Sequence, residues 1–390
     1  MKFVLILVGL LFCAELAGAQ TILGADDKFR PITTAVPFLL ITPDPRHAAL
    51  GDAGVASSPD ASSTYWNPAK LTFIESAYGG SLSYTPWLGK ITNDMAIIYL
   101  NGYYKITREQ TIALSMKYFD MGDFFARNDA NVDLGTFHPR DFSFDFTYSR
   151  LLTENFSVGL TGRFIHSNLL GSYNGKSIDD TKPGNSVAAD IGVYYYTELK
   201  GAKTNRLSLG AVISNIGPKL SNSNDNNRSP LPTNLRLGAA YKIDLDPFNS
   251  FTFLLDFNKL LVPSPQLVND TDSTTVMVIP DKSLISGMFS SFSDAPDGFS
   301  EEIKEFTVNA GVEYWYNNTF AGRVGYFSEA KLKGNRKYMT IGLGFKKNKF
   351  AFDIAYLVPT NKREHPLAET IRFGLMIMMP AKSREETVTD

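Results

Sequence analysis

The residues best suited to nucleophilic or metal chemistry are few in this 390-residue chain, and their spacing favours neither kind of chemistry. Histidine occurs only at His47, His138, His166 and His365, and none of these belongs to the H-E-x-x-H pair that holds zinc on a helix. The sequence has no G-x-S-x-G elbow and no glycine-rich phosphate loop. We therefore expect no catalysis, no cofactor and no metal site. A Ser/His site assembled from separate strands is the enzymatic alternative.

Aspartate and arginine side chains recur inside segments that otherwise alternate apolar and polar residues. A buried carboxylate needs a cationic or hydrogen-bonding partner, so we expect the acids to pair with arginines in an interior network. The acids are Asp145, Asp190, Asp256 and Asp353, and the arginines are Arg163, Arg236, Arg323 and Arg372. Over the whole chain 38 basic and 40 acidic residues are mixed, which gives no basic footprint for nucleic acid.

The element that would position these side chains is a strand with one apolar face and one polar face. The clearest example is the run 141–149, whose aromatic residues are Phe142, Phe144, Phe146 and Tyr148. A strand of about 9–11 residues crosses a bilayer, and lipid offers no partners to unpaired backbone groups, so such strands must close into a ring. The pattern predicts an all-β fold, a transmembrane antiparallel β-barrel. A soluble β-sandwich is the alternative.

The same alternation recurs in about fourteen segments. They lie near 77–85, 94–104, 110–119, 141–150, 155–166, 186–197, 206–216, 234–244, 250–258, 304–316, 318–328, 336–346, 349–358 and 368–378. Connectors after the even-numbered segments are short, whereas those after the third, fifth, seventh and ninth are long and polar. Because bacterial barrels have short periplasmic turns and longer outer loops, we expect both termini to be periplasmic. The barrel should occupy 77–378, with a polar tail over 379–390.

Alternation also assigns the two faces of each strand. The lipid-facing set of one strand is Phe156, Val158, Leu160 and Phe164, and two further stripes are Met339, Ile341, Leu343 and Phe345, and Ile371, Phe373, Leu375 and Ile377. Glycines on the inner face would leave room for sharp curvature or for close packing of a plug. These glycines are Gly210, Gly238, Gly325, Gly342 and Gly344.

The N-terminus has the features of a secretory signal. Lys2 precedes an apolar run, and Ala17-Gly18-Ala19 offers small residues for cleavage before Gln20. The only cysteine, Cys13, lies inside the apolar run, so residues 1–19 are expected to be removed together with the only thiol. After this segment no apolar run approaches the ~18 residues of a membrane helix.

Residues 20–76 do not follow the alternating pattern of the later segments. They are rich in small residues, and the Asn67-Pro68 pair favours a turn. Such a segment could coil compactly inside a pore. We therefore predict a hatch, or plug, over 20–76, in the periplasm or the lumen, with candidate hatch residues Gly51, Asp52, Gly54, Asn67, Pro68 and Ala69.

This segment resembles the N-terminal hatch of FadL-type outer-membrane proteins, whose Asn-Pro-Ala signature matches Asn67, Pro68 and Ala69. Further elements are similar to the PorV branch of that superfamily, which serves the type IX secretion system. These elements are Thr42-Pro43-Asp44 with Arg46, the Gly51-Asp52-Ala53-Gly54 turn, Lys117-Tyr118-Phe119 and Met121-Gly122-Asp123. The resemblance implies an integral protein of a Gram-negative outer membrane.

The resemblance also implies a function in binding and transfer. A PorV-like barrel would receive cargo with a C-terminal signal domain from a large translocon barrel. It would then deliver this cargo to a surface attachment complex that includes a sortase-like protease. The alternative is a FadL-like transporter in which the hatch gates the passage of hydrophobic small molecules. In both cases membrane lipid surrounds the protein.

Two connectors carry candidate contact residues for such partners. The connector from about Lys259 to Ile303 is far longer than a turn requires, and unusual length often accompanies function. Its apolar clusters would form docking sites, or they would fold back to cap the barrel. The candidate residues are Phe124 and Phe125 in one connector and Met288, Phe289 and Phe292 in the other. The polar segment 221–227 lacks the spaced carboxylates of a calcium loop and is expected to be a solvated tip.

Overall fold

The computed structural model describes residues 29–89, 92, 94–127, 131, 133–169, 182–199, 205–222, 228–269, 275–360 and 370–379. The predicted signal 1–19 and the tail after residue 379 lie outside these residues. In chain order the strands are β1 (Tyr78–Pro86), β2 (Ala96–Lys105), β3 (Gln110–Asp120), β4 (Phe124–Arg127), β5 (Asp133–Phe137), β6 (Arg140–Thr153), β7 (Phe156–Asn168), β8 (Gly184–Leu199), β9 (Asn205–Ile216), β10 (Asn234–Asp244), β11 (Asn249–Leu260), β12 (Gln266–Asn269), β13 (Thr275–Val278), β14 (Thr307–Tyr316), β15 (Phe320–Ser328), β16 (Lys337–Lys347), β17 (Phe350–Pro359) and β18 (Ile371–Met379).

In the described part of the chain, fourteen of these strands close into one antiparallel barrel. Strands β4–β5 and β12–β13 form separate two-stranded hairpins within two of the long connectors. The ring closes where β1 pairs with β18, in a register that runs from Tyr78↔Met379 to Tyr84↔Phe373. The prediction of a fourteen-stranded antiparallel barrel is confirmed. We call the end with the short connectors the short-turn mouth and the opposite end the long-loop mouth.

The two faces of the strands follow the predicted alternation. In β7 the residues Ser157, Thr161 and Arg163 are buried, whereas Leu160 and Phe164 are exposed on the outside. The outward stripes of β16 and β18 are exposed in the same way. A period of two therefore places apolar side chains toward lipid and polar side chains in the lumen.

Short helices occur before β1 and in the longest connector. They are α1 (Pro45–Ala48), α2 (Ser63–Trp66), α3 (Leu284–Ser290) and α4 (Phe299–Glu302), with 3-10 helices at Pro37–Leu40, Pro68–Phe73 and Ile303–Glu305. Among the described residues no helix is both long and apolar enough to span a membrane. The strand predicted from residue 304 begins instead at Thr307, because the preceding residues form the last of these 3-10 turns.

The N-terminal segment runs through the lumen from one mouth to the other. At the long-loop mouth the Arg30 N–H donates to the Leu332 carbonyl, and the Ala35 N–H donates to the Pro230 carbonyl. At the short-turn mouth the Ala77 N–H donates to the Met379 carbonyl. The described chain thus begins and ends at opposite mouths, which corrects the expectation that both termini share one side. We call residues 29–36 the strap and residues 37–76 the plug.

Candidate functional site

A tight turn in the plug holds it against β16. Gly51 and Asp52 have φ angles of +67° and +61°, in the left-handed region that glycine enters freely and aspartate tolerates. The Gly51 N–H donates to Thr340 Oγ1 over 2.9 Å, and the Tyr338 hydroxyl donates to the Asp52 carboxylate over 2.5 Å. Two of the predicted hatch residues therefore contact the wall directly.

Asp256 on β11 holds the other side of this turn. Its Oδ2 accepts the Gly54 N–H over 2.6 Å and the Val55 N–H over 2.9 Å. The expected pairing of this acid with an arginine is wrong, because two backbone donors of the plug occupy the carboxylate instead. Since both N–H groups are buried, the loss of this acceptor would leave them without a partner.

The Asn-Pro-Ala element attaches the plug to β6, β7 and β8. The Asn67 side chain accepts the Ala69 N–H over 3.1 Å and donates to the Val193 carbonyl over 2.9 Å. The Ala69 carbonyl accepts the Ser157 hydroxyl over 2.7 Å. Pro68 begins the 3-10 helix, where its missing N–H is not needed. All three predicted residues therefore act at one contact between plug and wall.

The inner glycines create the space in which the plug packs. A Cβ on Gly210 would lie 2.6 Å from the Val55 carbonyl oxygen, and a Cβ on Gly325 would collide with the backbone of Leu50 and Gly51. Gly238 and Gly342 likewise face Val55 and Ala49, whereas Gly344 clears space for Arg323. Four of the five predicted glycines thus fit the plug closely.

Buried ion pairs join the strands and the plug, partly as predicted. Arg163 bonds to Asp145 over 2.8 Å and to Asp190 over 3.0 Å. Arg323 bonds to Asp353 over 2.6 Å and to Glu313 over 2.7 Å. Glu313 also accepts two N–H groups from the plug residue Arg46, at 3.0 and 2.9 Å, in the bidentate geometry that fixes an arginine in orientation.

Arg236 and Arg372 depart from the predicted pairing with acids. Arg236 donates to the Tyr65 hydroxyl over 3.2 Å and lies against the rings of Tyr65 and Trp66. Arg372 donates to the Thr42 carbonyl over 2.8 Å. Both arginines therefore bind the plug rather than other strands.

Asp44, His47 and Ser57 form a series with the distances of a hydrolase triad. His47 Nδ1 lies 2.7 Å from Asp44 Oδ2, and His47 Nε2 lies 2.8 Å from Ser57 Oγ. The Ser57 hydroxyl donates to the Gly54 carbonyl over 3.0 Å, and Lys70 Nζ donates to Ser57 Oγ over 2.8 Å. Because the hydroxyl proton points to a carbonyl, the imidazole is not placed to accept it as a general base. These fully packed contacts stabilise the fold of the plug.

A cavity of about 600 Å³ lies between the plug and the long-loop mouth. Aromatic side chains such as Trp87, Phe119 and Phe327 line it together with Arg236 and Arg372. Arg236 is 5% exposed, and its Nη1 is buried without a hydrogen-bond partner. The cavity therefore combines apolar walls with an unused cationic donor.

The cap, which we define as residues 284–305, is held at the long-loop mouth by buried ion pairs. Lys259 Nζ lies 2.6 Å from both Glu302 and Glu305. Lys333 Nζ lies 2.6 Å from Glu301 and 2.8 Å from Glu305. The strap contributes Arg30, which bonds to Glu301 over 2.9 Å. Three parts of the chain thus supply cations to one short acidic run.

The opposite side of the cap is apolar and faces outward. Phe289 and Phe299 are 75% and 78% exposed, and Ile285, Phe292 and Ile303 are also exposed. We call these five residues the patch. Of the predicted contact residues, Phe289 and Phe292 belong to the patch, while Met288 is half-buried. Sequence reasoning missed Phe299 and Ile303, whose spacing of four residues beside the acids was the available signal.

The hairpin β4–β5 carries the other two predicted contact residues. Phe124 stacks on Phe137 with ring centroids 5.6 Å apart, whereas Phe125 is 74% exposed. At the base of the hairpin His138 lies 2.8 Å from Asp123 and 2.9 Å from Asp120. The hydrogen bond to Asp123 raises the pKa of His138, with a further contribution from the charge of Asp120.

No group of three or more His, Cys, Asp or Glu side chains is placed to hold a metal ion among the described residues. His365, Cys13 and the segment 223–227 lie outside those residues.

A closed antiparallel barrel whose lumen holds a folded N-terminal segment defines the class of plugged outer-membrane barrels. Residues 24–267 match the family described as "Type IX secretion system protein PorV". Because this match covers more than half of the sequence, the chain belongs to the PorV family. It is an outer-membrane barrel of Gram-negative type IX secretion, as its resemblance to this family indicated.

Solved structures of FadL type share the fold. The TodX deltaS2S3 mutant monoaromatic hydrocarbon channel, a variant of the *Pseudomonas putida* toluene transporter, is 11% identical with a TM-score of 0.52, over 87% of this chain and 99% of that one. The *Ralstonia pickettii* toluene transporter TbuX is 12% identical (TM-score 0.48, covering 86% and 98%). A *Pseudomonas aeruginosa* FadL homologue is 9% identical (TM-score 0.45, covering 90% and 99%). No curated protein has a significantly matching sequence.

Proposed function

We propose that this protein is a carrier that receives cargo with a C-terminal signal from the translocon barrel. It then delivers this cargo to the surface attachment complex with its sortase-like protease. Membership of the PorV family supports a role in type IX secretion. The single observation that carries the carrier role is the patch on the cap. The proposed role is binding and transfer without catalysis.

The cap reverses the usual distribution of polar and apolar side chains. Its carboxylates at Glu301, Glu302 and Glu305 are buried, while Phe289 and Phe299 project into solvent. Exposed apolar area costs about 25 cal/mol per Å², so a partner that covers the patch gains this free energy. Aromatic side chains in such positions are common binding hot spots. The patch therefore has the chemistry of an anchor for a protein partner.

The ion pairs beneath the patch support the same proposal. Binding surfaces that must be ordered on contact lose affinity to the entropy of ordering. Here Lys259 and Lys333 fix the backbone of the cap from below, so the patch is ordered before a partner arrives. A rigid apolar surface suits a carrier that must bind many cargo proteins through one shared domain.

The orientation that fits this role places the long-loop mouth at the cell surface. The cap, the patch and the hairpin with Phe125 would then face outward, where cargo leaves the translocon. The short-turn mouth with Met379 would be periplasmic, and the strap with Arg30 would lie on the outer side. Labelling of a cysteine introduced at Arg336 in intact cells by an impermeant maleimide is expected, and labelling only after lysis would contradict this orientation.

The carrier role is tested by the double variant Phe289→Ser/Phe299→Ser. Both side chains are largely exposed, so folding and membrane insertion should be normal. Truncation of buried aromatic anchors can cost 2 kcal/mol or more, or about thirtyfold in affinity. We expect pull-downs to recover less translocon and cargo, and secretion to be impaired. The matched control is Phe248→Ser at the short-turn mouth, where the side chain is similarly exposed.

Two outcomes would contradict the carrier role in different ways. Normal secretion and normal partner recovery in the double variant would show that the patch is not the docking surface. Normal secretion after deletion of the whole gene would show that the protein is not a carrier.

A second candidate function is transport of hydrophobic small molecules, and the cavity above the plug favours it. Its volume of about 600 Å³ lies within the range of ligand pockets, and its walls are mostly aromatic. Asn67→Ala would loosen the plug by removing its bonds to Val193 and Ala69. A transporter predicts altered uptake of an apolar compound in this variant with unchanged secretion, whereas a carrier predicts unchanged uptake.

A further inference from the structure

A groove of about 980 Å³ lies beside the cap, between the connector from β9 to β10 and the connector that follows β11. Its buried floor includes Leu231, Leu261 and Val262. An ion pair between Lys219 and Asp281 ties the two walls together. This volume is at the upper end of the range for ligand pockets, so the groove can hold several side chains at once.

Prolines dominate the walls of the groove and limit how a ligand can bind. The prolines that line it are Pro218, Pro230, Pro263 and Pro280. Proline has no N–H group, and the backbone of Leu220 and Ser229 is already paired in a bridge. Addition of a strand to the groove would therefore find few free donors. Recognition must rest on apolar contacts and on charged side chains.

The charge of the groove is positive, although the chain as a whole carries a net charge of −2. Among the described lining residues the cations are Lys219, Arg228 and Lys282, and Asp281 is the acid. Arg228 is exposed, and no described carboxylate lies within ion-pair distance of it. A ligand with carboxylates would complement this excess, and the attraction would weaken as salt screens it.

The groove and the patch share helix α3. Leu284 and Gly287 of this helix line the groove, while Ile285 and Phe289 belong to the patch. A partner that covers the patch can therefore extend a segment into the groove without a break in the contact.

We propose that the groove binds an extended segment of a secreted protein that carries both apolar side chains and carboxylates. This proposal rests on the carrier function, and it adds the chemistry by which cargo would be recognised next to the patch. Apolar side chains contact the floor and the prolines, while a carboxylate pairs with Arg228.

The test uses the purified full chain in lipid nanodiscs and two short fluorescent peptides. One peptide consists of leucine, proline and aspartate, and its twin has lysine in place of every aspartate. We expect the acidic peptide to bind at least about tenfold more tightly than its twin. Arg228→Glu should abolish this preference, because the carboxylate then meets a like charge. Val278→Ser should weaken binding of the acidic peptide several-fold, because it removes apolar wall.

The matched control is Arg206→Glu, which reverses an exposed arginine at the short-turn mouth and should leave the preference intact. Equal binding of the two peptides, or a preference that survives Arg228→Glu, would overturn the proposal. Such a result leaves the carrier function to be judged separately by secretion in the Phe289→Ser/Phe299→Ser variant. The two failures are therefore distinguishable.

Discussion

The plug and the cap are both held to the barrel by buried polar contacts, but the two contacts differ in kind. The plug meets the wall mainly with its backbone, in clefts that glycines such as Gly325 leave open. The cap meets the wall with the ends of long side chains, such as Lys259 and Glu305. A backbone in a glycine cleft fits in one position, whereas a side-chain lattice depends on each charge in it. The plug is therefore fixed by shape and the cap by charge balance.

This difference also separates the roles that the two regions can have. The outward face of the plug borders the cavity and is reached only through the mouth, whereas the outward face of the cap is the patch. A segment fixed by shape is suited to closing a lumen. A segment fixed by ion pairs can present apolar residues that would otherwise fold inward.

The largest expected effect comes from filling a glycine cleft. Gly325→Val would place side-chain atoms within the backbone of Leu50 and Gly51, which cannot move as a side chain can. The cost should exceed the ~1–3 kcal/mol of ordinary overpacking, so the plug should lose its seat and the barrel should conduct ions in planar bilayers. Gly322→Val is the matched control on the same strand, because nothing lies near its Cβ position. A closed barrel in the Gly325 variant would contradict fixation by shape.

Removal of one charge from the cap should have the next largest effect. Glu305 accepts hydrogen bonds from Lys259, Lys333 and Ser264. Glu305→Ala leaves buried ammonium groups short of a partner, and such losses cost about 3–5 kcal/mol. We expect faster hydrogen exchange in the cap and in the strap, with unchanged exchange in β16. Equal protection in variant and parent would show that the cap does not depend on this lattice.

A smaller effect is expected at the one point where a carboxylate holds the plug. Asp256→Ala removes the acceptor of the Gly54 and Val55 N–H groups, and hydrogen bonds to charged groups contribute about 1.5–3 kcal/mol. The turn around Gly54 should then exchange its amide hydrogens faster while the plug stays seated. Ion conductance as large as in Gly325→Val would show that charge, and not shape, keeps the plug in place.

The smallest effect concerns a third polar contact, at the base of the β4–β5 hairpin. The pKa of His138 is raised in the folded state by Asp123 and Asp120, and Asp94 lies nearby through its bond to the Asp123 N–H. The protonated imidazole therefore stabilises the hairpin fully below its ordinary pKa of about 6.5. This contribution is lost as the pH rises through the raised value.

Because His138 is partly exposed, the contribution should stay below about 1 kcal/mol. Hydrogen exchange in β4 and β5 should become faster as the pH rises above about 6.5, after correction for the intrinsic rate. In His138→Gln this added dependence should vanish. If it persists in that variant, another group is responsible.

The strands and their faces were predictable from sequence, because a period of two is visible in runs such as 141–149. The glycines that face the plug were predictable for the same reason, since each falls on the inner face of a strand. The Asn67-Pro68-Ala69 element was found through family resemblance, and its bonds to β6, β7 and β8 were not predictable from the residues alone.

The partners of individual charges were not predictable. Asp256 looks like its neighbours in sequence, yet it binds backbone N–H groups because the plug turn passes beside it. The acids at 301–305 look like a solvated charged run, and only the fold brings Arg30 from the other end of the chain to Glu301. Short-range patterns specify strands, whereas contacts between distant segments depend on how the strands are arranged.

The path of the N-terminal segment has a consequence for how the molecule is built. Between Arg30 and Ala77 the chain passes through a closed ring of hydrogen-bonded strands, and the ring is sealed between β1 and β18. If the ring were sealed first, the strap would have to be threaded through the finished lumen. If the plug collapses first, the strands can wrap around it and seal last, with no threading. The order of assembly is therefore encoded in the topology: the earliest residues to be made become the core around which the latest ones close.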